Sequence, residues 1–162
     1  MRKNVLEKEC ALGLEKNLIL AYCGVPHESK NINSRWVNRF ISGRDRNLWN
    51  DITACTGKFI EAVSRLDFKD AALRMNEETA LRRKMTPDVF DGAGRKLVGA
   101  ALKNNCGARF TGAGGGGCVW AIGEAGDIEK LKTKWEAILA ERKGACLMDF
   151  KPDYRGVSVM EK

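Results

Sequence analysis

Apolar positions along the chain change spacing several times, and the changes mark out its elements. Residues 18–23, Leu-Ile-Leu-Ala-Tyr-Cys, form a short apolar run that ends at Gly24 and reads as a buried strand. From Asn31 to Ser42, Ile32, Trp36, Val37 and Phe40 recur at helical spacing, and Gly43 supplies the stop. Leu48, Ile52, Cys55, Phe59 and Val63 form the next apolar stripe. Asp67 is placed to cap a helix running to Met85. Thr86-Pro87-Asp88 reads as another helix start, with proline in the first turn and an acid near the positive end, and this helix is expected to reach about Asn104.

The spacing then shortens. Ala108–Gly112 and Cys118–Ile122 read as two strands joined by a glycine-rich loop. Ile128, Leu131, Trp135, Ile138 and Leu139 then lie on one side of a helix that starts at Gly126-Asp127 and ends at Gly144. Ala145–Phe150 reads as a further strand, and Gly156–Val159 as an edge strand. Residues 1–17 are a mixed lead-in, and 18–162 form the domain. A tight connection between Phe110 and Trp120 makes that strand pair antiparallel. The pattern therefore implies an α+β domain, with an antiparallel sheet of about four strands covered by helices.

The loop carries the chemistry. Thr111-Gly112-Ala113-Gly114-Gly115-Gly116-Gly117-Cys118 is mostly glycine, which costs folding entropy and needs a reason. Without Cβ atoms, consecutive amides can converge on an anion, and a phosphate is the natural occupant. Gly112-x-Gly114-x-x-Gly117 matches the dinucleotide fingerprint letter for letter, but a strand follows it where that fingerprint requires a helix. No Gly-Lys-Ser/Thr closes the run, so it is not a P-loop.

With Gly107-Ala108-Arg109-Phe110 before it, the octet resembles the third motif of the GHMP kinases, the family of galactokinases, mevalonate kinases, homoserine kinases and phosphorylated-heptose kinases. Leu18–Gly24, the Pro26-His27-Glu28-Ser29 loop and Met75-Asn76-Glu77-Glu78-Thr79-Ala80-Leu81 follow the order of that family's C-terminal domain. The resemblance implies a ferredoxin-like two-layer plait and an ATP-dependent kinase acting on an alcohol, most simply a galactokinase-like or heptose kinase-like enzyme for a sugar or sugar phosphate. It implies phosphate or nucleotide binding at Thr111, Gly112, Ala113, Gly114, Gly115, Gly116 and Gly117, and substrate contacts at His27, Glu28, Ser29, Asn76 and Glu77. The family's main ATP loop, a Pro-x-x-x-Gly-Leu-Gly-Ser-Ser-Ala-type segment, has no counterpart here. A split gene, a fragment or a partner chain would each account for this. The ligands of ATP and Mg2+ are accordingly expected mainly from a separate N-terminal kinase half, with this chain alone inactive. No residue here reads as the catalytic base. Self-association into a homo-oligomer is left open.

Composition narrows the alternatives. The length of 162 residues suits a single domain. No apolar run approaches the roughly 18 residues of a membrane span. The six cysteines include no Cys-x-x-Cys pair and read as reduced thiols of a cytoplasmic protein, with no metal site. A net charge of +7, with Lys30, Arg35, Arg39, Arg44 and Arg46 in one stretch and Arg82, Arg83 and Lys84 in another, suits an anionic ligand or a solvated basic face. Two other readings stand beside the kinase. One is a regulatory or assembly protein that keeps the half-domain. The other is a nucleic-acid module, in which the four-glycine run would have no role.

Overall fold

The structure, a computed structural model, describes residues 5–6, 10, 13–26 and 29–152. The edge strand expected at Gly156–Val159 lies outside the described residues. A 3-10 turn at Leu14–Asn17 leads into β1 (Leu18–Tyr22). Helices α1 (Ser29–Ile41), α2 (Arg46–Ser64), α3 (Phe68–Met85) and α4 (Gly92–Lys103) follow. The chain then forms β2 (Gly107–Phe110), β3 (Cys118–Ile122), α5 (Ala125–Ala140) and β4 (Cys146–Leu147).

The four strands form one sheet in the order β2-β3-β1-β4, antiparallel throughout. This is the α+β, ferredoxin-like arrangement expected above. Register explains which residues go where. Ile19 lies opposite Ala121, which lies opposite Ala108, while Ala21, Val119 and Phe110 form the adjacent row. All six are buried on one face. Alternation along a strand puts the neighbours of these residues on the other face.

The first face packs against α4 and α5 through Leu97, Ala101, Ile128, Leu131, Trp135 and Leu139. Trp135 is fully buried, and its indole N–H donates to the Leu97 carbonyl at 3.0 Å. The other face carries Leu18, Trp120 and Ile122, which pack with Phe59, Ala62 and Val63 of α2 and Ala71 and Met75 of α3. The α2–α3 pair is thus an addition to the plait that covers its second face. Helix α3 also closes the β2 edge. Asn76 Nδ2 donates to the Cys106 carbonyl at 3.0 Å, and Thr79 Oγ1 donates to the Ala108 carbonyl at 2.9 Å. Edge groups that a fifth strand would have paired are satisfied by side chains instead.

Three expectations need correcting. Thr86-Pro87-Asp88 does not start a helix: Thr86 is the C-cap of α3, and residues 86–90 form a turn. Asp91 caps α4, its carboxylate accepting from the Gly94 amide at 2.7 Å. Asp88 is occupied elsewhere, in an ion pair with Arg35 at 2.9 Å, and not in helix-end electrostatics. The last strand shrinks from Ala145–Phe150 to Cys146–Leu147, paired with Tyr22 and Ala21 of β1; one further bond, from the Met148 amide to the Leu20 carbonyl at 2.9 Å, follows it. All six cysteines are free thiols. Among the described residues no helix is long and apolar enough to cross a membrane.

Candidate functional site

The glycine loop leaves the end of β2 and returns into β3. Thr111 closes its base, donating both its amide (3.0 Å) and its hydroxyl (3.4 Å) to the Cys118 carbonyl. Its hydroxyl thus holds the hairpin. Gly114, Gly115, Gly116 and Gly117 all have positive φ, at 84°, 79°, 123° and 75°. Four such residues in a row need glycine.

Two arms grip the loop. The Gly115 amide donates to the Val89 carbonyl at 2.8 Å, and the Gly117 amide donates to the Val25 carbonyl at 2.9 Å. The Cys23 amide donates back to the Gly117 carbonyl at 2.8 Å. Space is equally constrained. A Cβ on Gly114 would lie 2.4 Å from both Cγ2 and the carbonyl oxygen of Val89, and one on Gly116 would lie 2.9 Å from the Pro26 carbonyl oxygen. Ala113 is buried, whereas around Gly112 there is open space.

The amides of Gly115 and Gly117 are therefore engaged within the protein. Those of Gly112, Ala113, Gly114 and Gly116 have no partner among the described residues, and of these Ala113 and Gly114 are buried while Gly112 is exposed. Amide donors without partners in a loop fixed on both sides are the groups an anion would have to engage. The start of α4 lies three residues beyond Val89, with the Asp91 carboxylate capping it.

The other residues singled out from sequence are placed differently. Asn76 is bound to Cys106, at the end of β2 away from the loop. Glu77 pairs with Arg74 at 3.1 Å and lies 3.9 Å from the Cys55 thiol, on the α2 side of α3. Neither is brought to the glycine loop. His27 and Glu28 lie outside the described residues. Ser29 opens α1, three residues after Pro26, whose carbonyl faces Gly116.

Three residues of the basic stretches are held within the structure, while Arg44, Arg46, Arg83 and Lys84 are exposed. Arg35 pairs with Asp88, and Arg39 pairs with Asp45 at 2.5 Å. Arg82 packs over Trp36 and Trp49, 4.8 and 5.5 Å from their ring centres, and pairs with Glu78 at 2.7 Å. Glu78 is buried and also meets Arg109 at 3.4 Å. Burial lowers the Arg109 pKa, and Glu78 opposes that shift. Sequence reasoning missed Val89 and Val25 altogether. They act through backbone carbonyls, which no side-chain pattern announces. No cluster of three metal-binding side chains occurs among the described residues.

Comparison with known proteins places this architecture. The family model described as "GHMP kinases C terminal" matches residues 59–141. No curated protein matches the sequence. Among solved structures, phosphomevalonate kinase from Streptococcus pneumoniae aligns with a TM-score of 0.67 at 18% identity, over 82% of this chain and 39% of that one. Mevalonate kinase from L. major, in complex with R-mevalonate, aligns with a TM-score of 0.66 at 20% identity, over 80% and 40%. A putative sugar kinase from Campylobacter jejuni aligns with a TM-score of 0.53 at 17% identity, over 93% and 40%. The chain thus spans about two fifths of the length of the structures it matches.

Proposed function

This chain belongs to the family of GHMP kinase C-terminal domains, and on that premise we propose that it is the C-terminal half of an ATP-dependent kinase that phosphorylates an alcohol on a sugar or sugar phosphate. The observation that carries the reading is the glycine loop. It is fastened through Gly115 and Gly117, while its Gly114 and Gly116 amides have no partner among the described residues, which supports a role for them toward a ligand.

Phosphoryl transfer asks a protein mainly for positioning and charge stabilisation. Magnesium-bound ATP would supply the phosphoryl group, with its ligands coming from an N-terminal half in another segment or polypeptide. In this chain the Gly114 and Gly116 amides would hold phosphate oxygens. Thr111 would keep the loop closed at its base, and buried Ala113 would leave room for approach. The alcohol substrate would lie beside the segment that follows Pro26, with His27, Glu28 and Ser29 as its contacts. The sugar assignment is supported by that segment and by the name of the Campylobacter jejuni relative. A mevalonate-type hydroxy acid is the second reading, favoured by the names of the other two relatives. Among the described residues of the loop and its arms, the carboxylates Asp88 and Asp91 are held by Arg35 and by Gly94 and Arg142, so the isolated chain is expected not to turn over ATP.

The test is a thermal-shift panel of Mg·ATP with galactose, heptose phosphates and mevalonate, run on the chain alone and after mixing with a GHMP kinase ATP-binding half. Stabilisation by a sugar or sugar phosphate supports the reading. Stabilisation by mevalonate alone replaces the substrate class. Stable oligomers that respond to none of these ligands would point to an assembly role.

A further inference from the structure

Both arms that grip the glycine loop are joined to the same helix. The Val25–Pro26 arm runs almost directly into α1, which begins at Ser29. The Val89 arm is bonded to the middle of α1. Trp36 Nε1 donates to Thr86 Oγ1 at 2.7 Å, and Thr86 is only 2% exposed. Arg35 forms a two-pronged pair with Asp88, at 3.1 and 2.9 Å. Arg39 donates to the Met85 carbonyl. The turn passes this hold onward, since the Val89 amide donates to the Thr86 carbonyl at 3.1 Å and the Val89 carbonyl accepts from Gly115.

Helix α1 itself is attached mainly by directional contacts. Ile32 is buried, but Val37, Phe40 and Ile41 are exposed. Trp36 and Phe40 meet Trp49 edge to face. An element held this way can shift as a unit at lower cost than one buried in the core.

We propose that Trp36 and Arg35 are positioning residues for the glycine loop, acting through Thr86 and Asp88 on the Val89 carbonyl that fixes Gly115. Helix α1 is thereby tied to the Gly115 amide through the Thr86–Val89 turn. The bonded relay stands on the structure alone. Its consequence for phosphate rests on the function proposed above.

The test is amide hydrogen exchange on the full chain, which needs no ligand. Trp36→Phe keeps an aromatic ring, smaller than the indole, and removes the donor; Asp88→Asn weakens the second tie without touching the core. Thr86→Val removes the acceptor, and Thr86→Ser restores it. Losing one neutral hydrogen bond should speed Gly115 exchange about fivefold. The expected result is that acceleration in Trp36→Phe and Thr86→Val, a smaller one in Asp88→Asn, and wild-type protection in Thr86→Ser. Gly117, held by the other arm, and Val119–Ala121 of β3 should stay unchanged. Unchanged Gly115 exchange in Asp88→Asn and in either of the other two variants would overturn the proposal. So would uniform acceleration across Gly115, Gly117 and β3. Titration of inorganic pyrophosphate into the same samples separates the two ideas. If Gly115 responds to the variants but pyrophosphate protects no loop amide, the relay stands and the phosphate reading fails.

Discussion

Thr79 donates its hydroxyl hydrogen to the carbonyl oxygen of Ala108 at 2.9 Å, in a buried bond between α3 and the outer edge of β2. With Asn76 bound to Cys106 a turn earlier, α3 fills the place of a missing strand and holds β2 in register. The strand that leads into the glycine loop is thus fixed by helix side chains. Thr79→Val keeps the shape and leaves the Ala108 carbonyl unpaired. The expected loss is about 1–3 kcal/mol, read from the denaturant midpoint at an unchanged m-value.

Gly107 faces the same helix more closely. A Cβ there would lie 2.4 Å from the Ala72 carbonyl oxygen and 2.7 Å from its Cα, and backbone atoms cannot swing aside. Gly107→Ala should cost about 2 kcal/mol or more by pushing α3 off β2. A cost within about 0.5 kcal/mol, the usual range for surface changes, would contradict the close packing.

Gly112 and Gly114 give a contrast within the loop. Gly112 has open space around its Cβ position, whereas Gly114 combines φ 84° with a collision against Val89. Gly114→Ala should destabilise by about 1–3 kcal/mol and displace the loop. Gly112→Ala should stay within about 1 kcal/mol. Equal effects in thermal or chemical unfolding would mean that Val89 does not confine the loop.

The cysteines make a pH prediction. Burial pushes the Cys23 thiol from its ordinary 9.0 up to about 11, with Asp91 and Cys118 adding to the shift and Arg142 opposing it. Burial pushes Cys106 up to about 12. Both pKa values are raised by folding, so the stability they confer is complete below the unfolded pKa. Above pH 9.0 the unfolded chain loses these protons while the folded chain keeps them. Stability should therefore fall by about 1.4 kcal/mol per pH unit for each thiol until its folded pKa is reached. Cys23→Ala and Cys106→Ala should each flatten that alkaline slope. At neutral pH, exposed Cys146 should be alkylated well before Cys23 or Cys106.

Much of the plan was legible because apolar spacing follows burial directly. β1 fell on its short apolar run, α5 on its helical spacing and α3 behind its Asp67 cap, β3 was read as a strand, and the glycine tract stood out by composition alone. The start of α4 was misread because Thr86-Pro87-Asp88 carries every local helix signal. Tertiary partners overrode those signals: Trp36 takes the Thr86 hydroxyl and Arg35 takes Asp88. The basic stretches suggested an anion surface, but Arg35, Arg39 and Arg82 are occupied by acids and tryptophans brought near only by folding. The anchors at Val89 and Val25 are backbone carbonyls, invisible to residue type.

The account depends most on the loop receiving a phosphate. The direct measurement is a backbone amide NMR titration of this chain with Mg·AMPPNP and, separately, inorganic pyrophosphate. The expected result is saturable shifts centred on the Gly114 and Gly116 amides, with Gly115 and Gly117 still protected by Val89 and Val25, and loss of the response in Gly114→Ala. Shifts confined to exposed lysines and arginines, with the Gly114 and Gly116 amides unmoved at saturation, would contradict it.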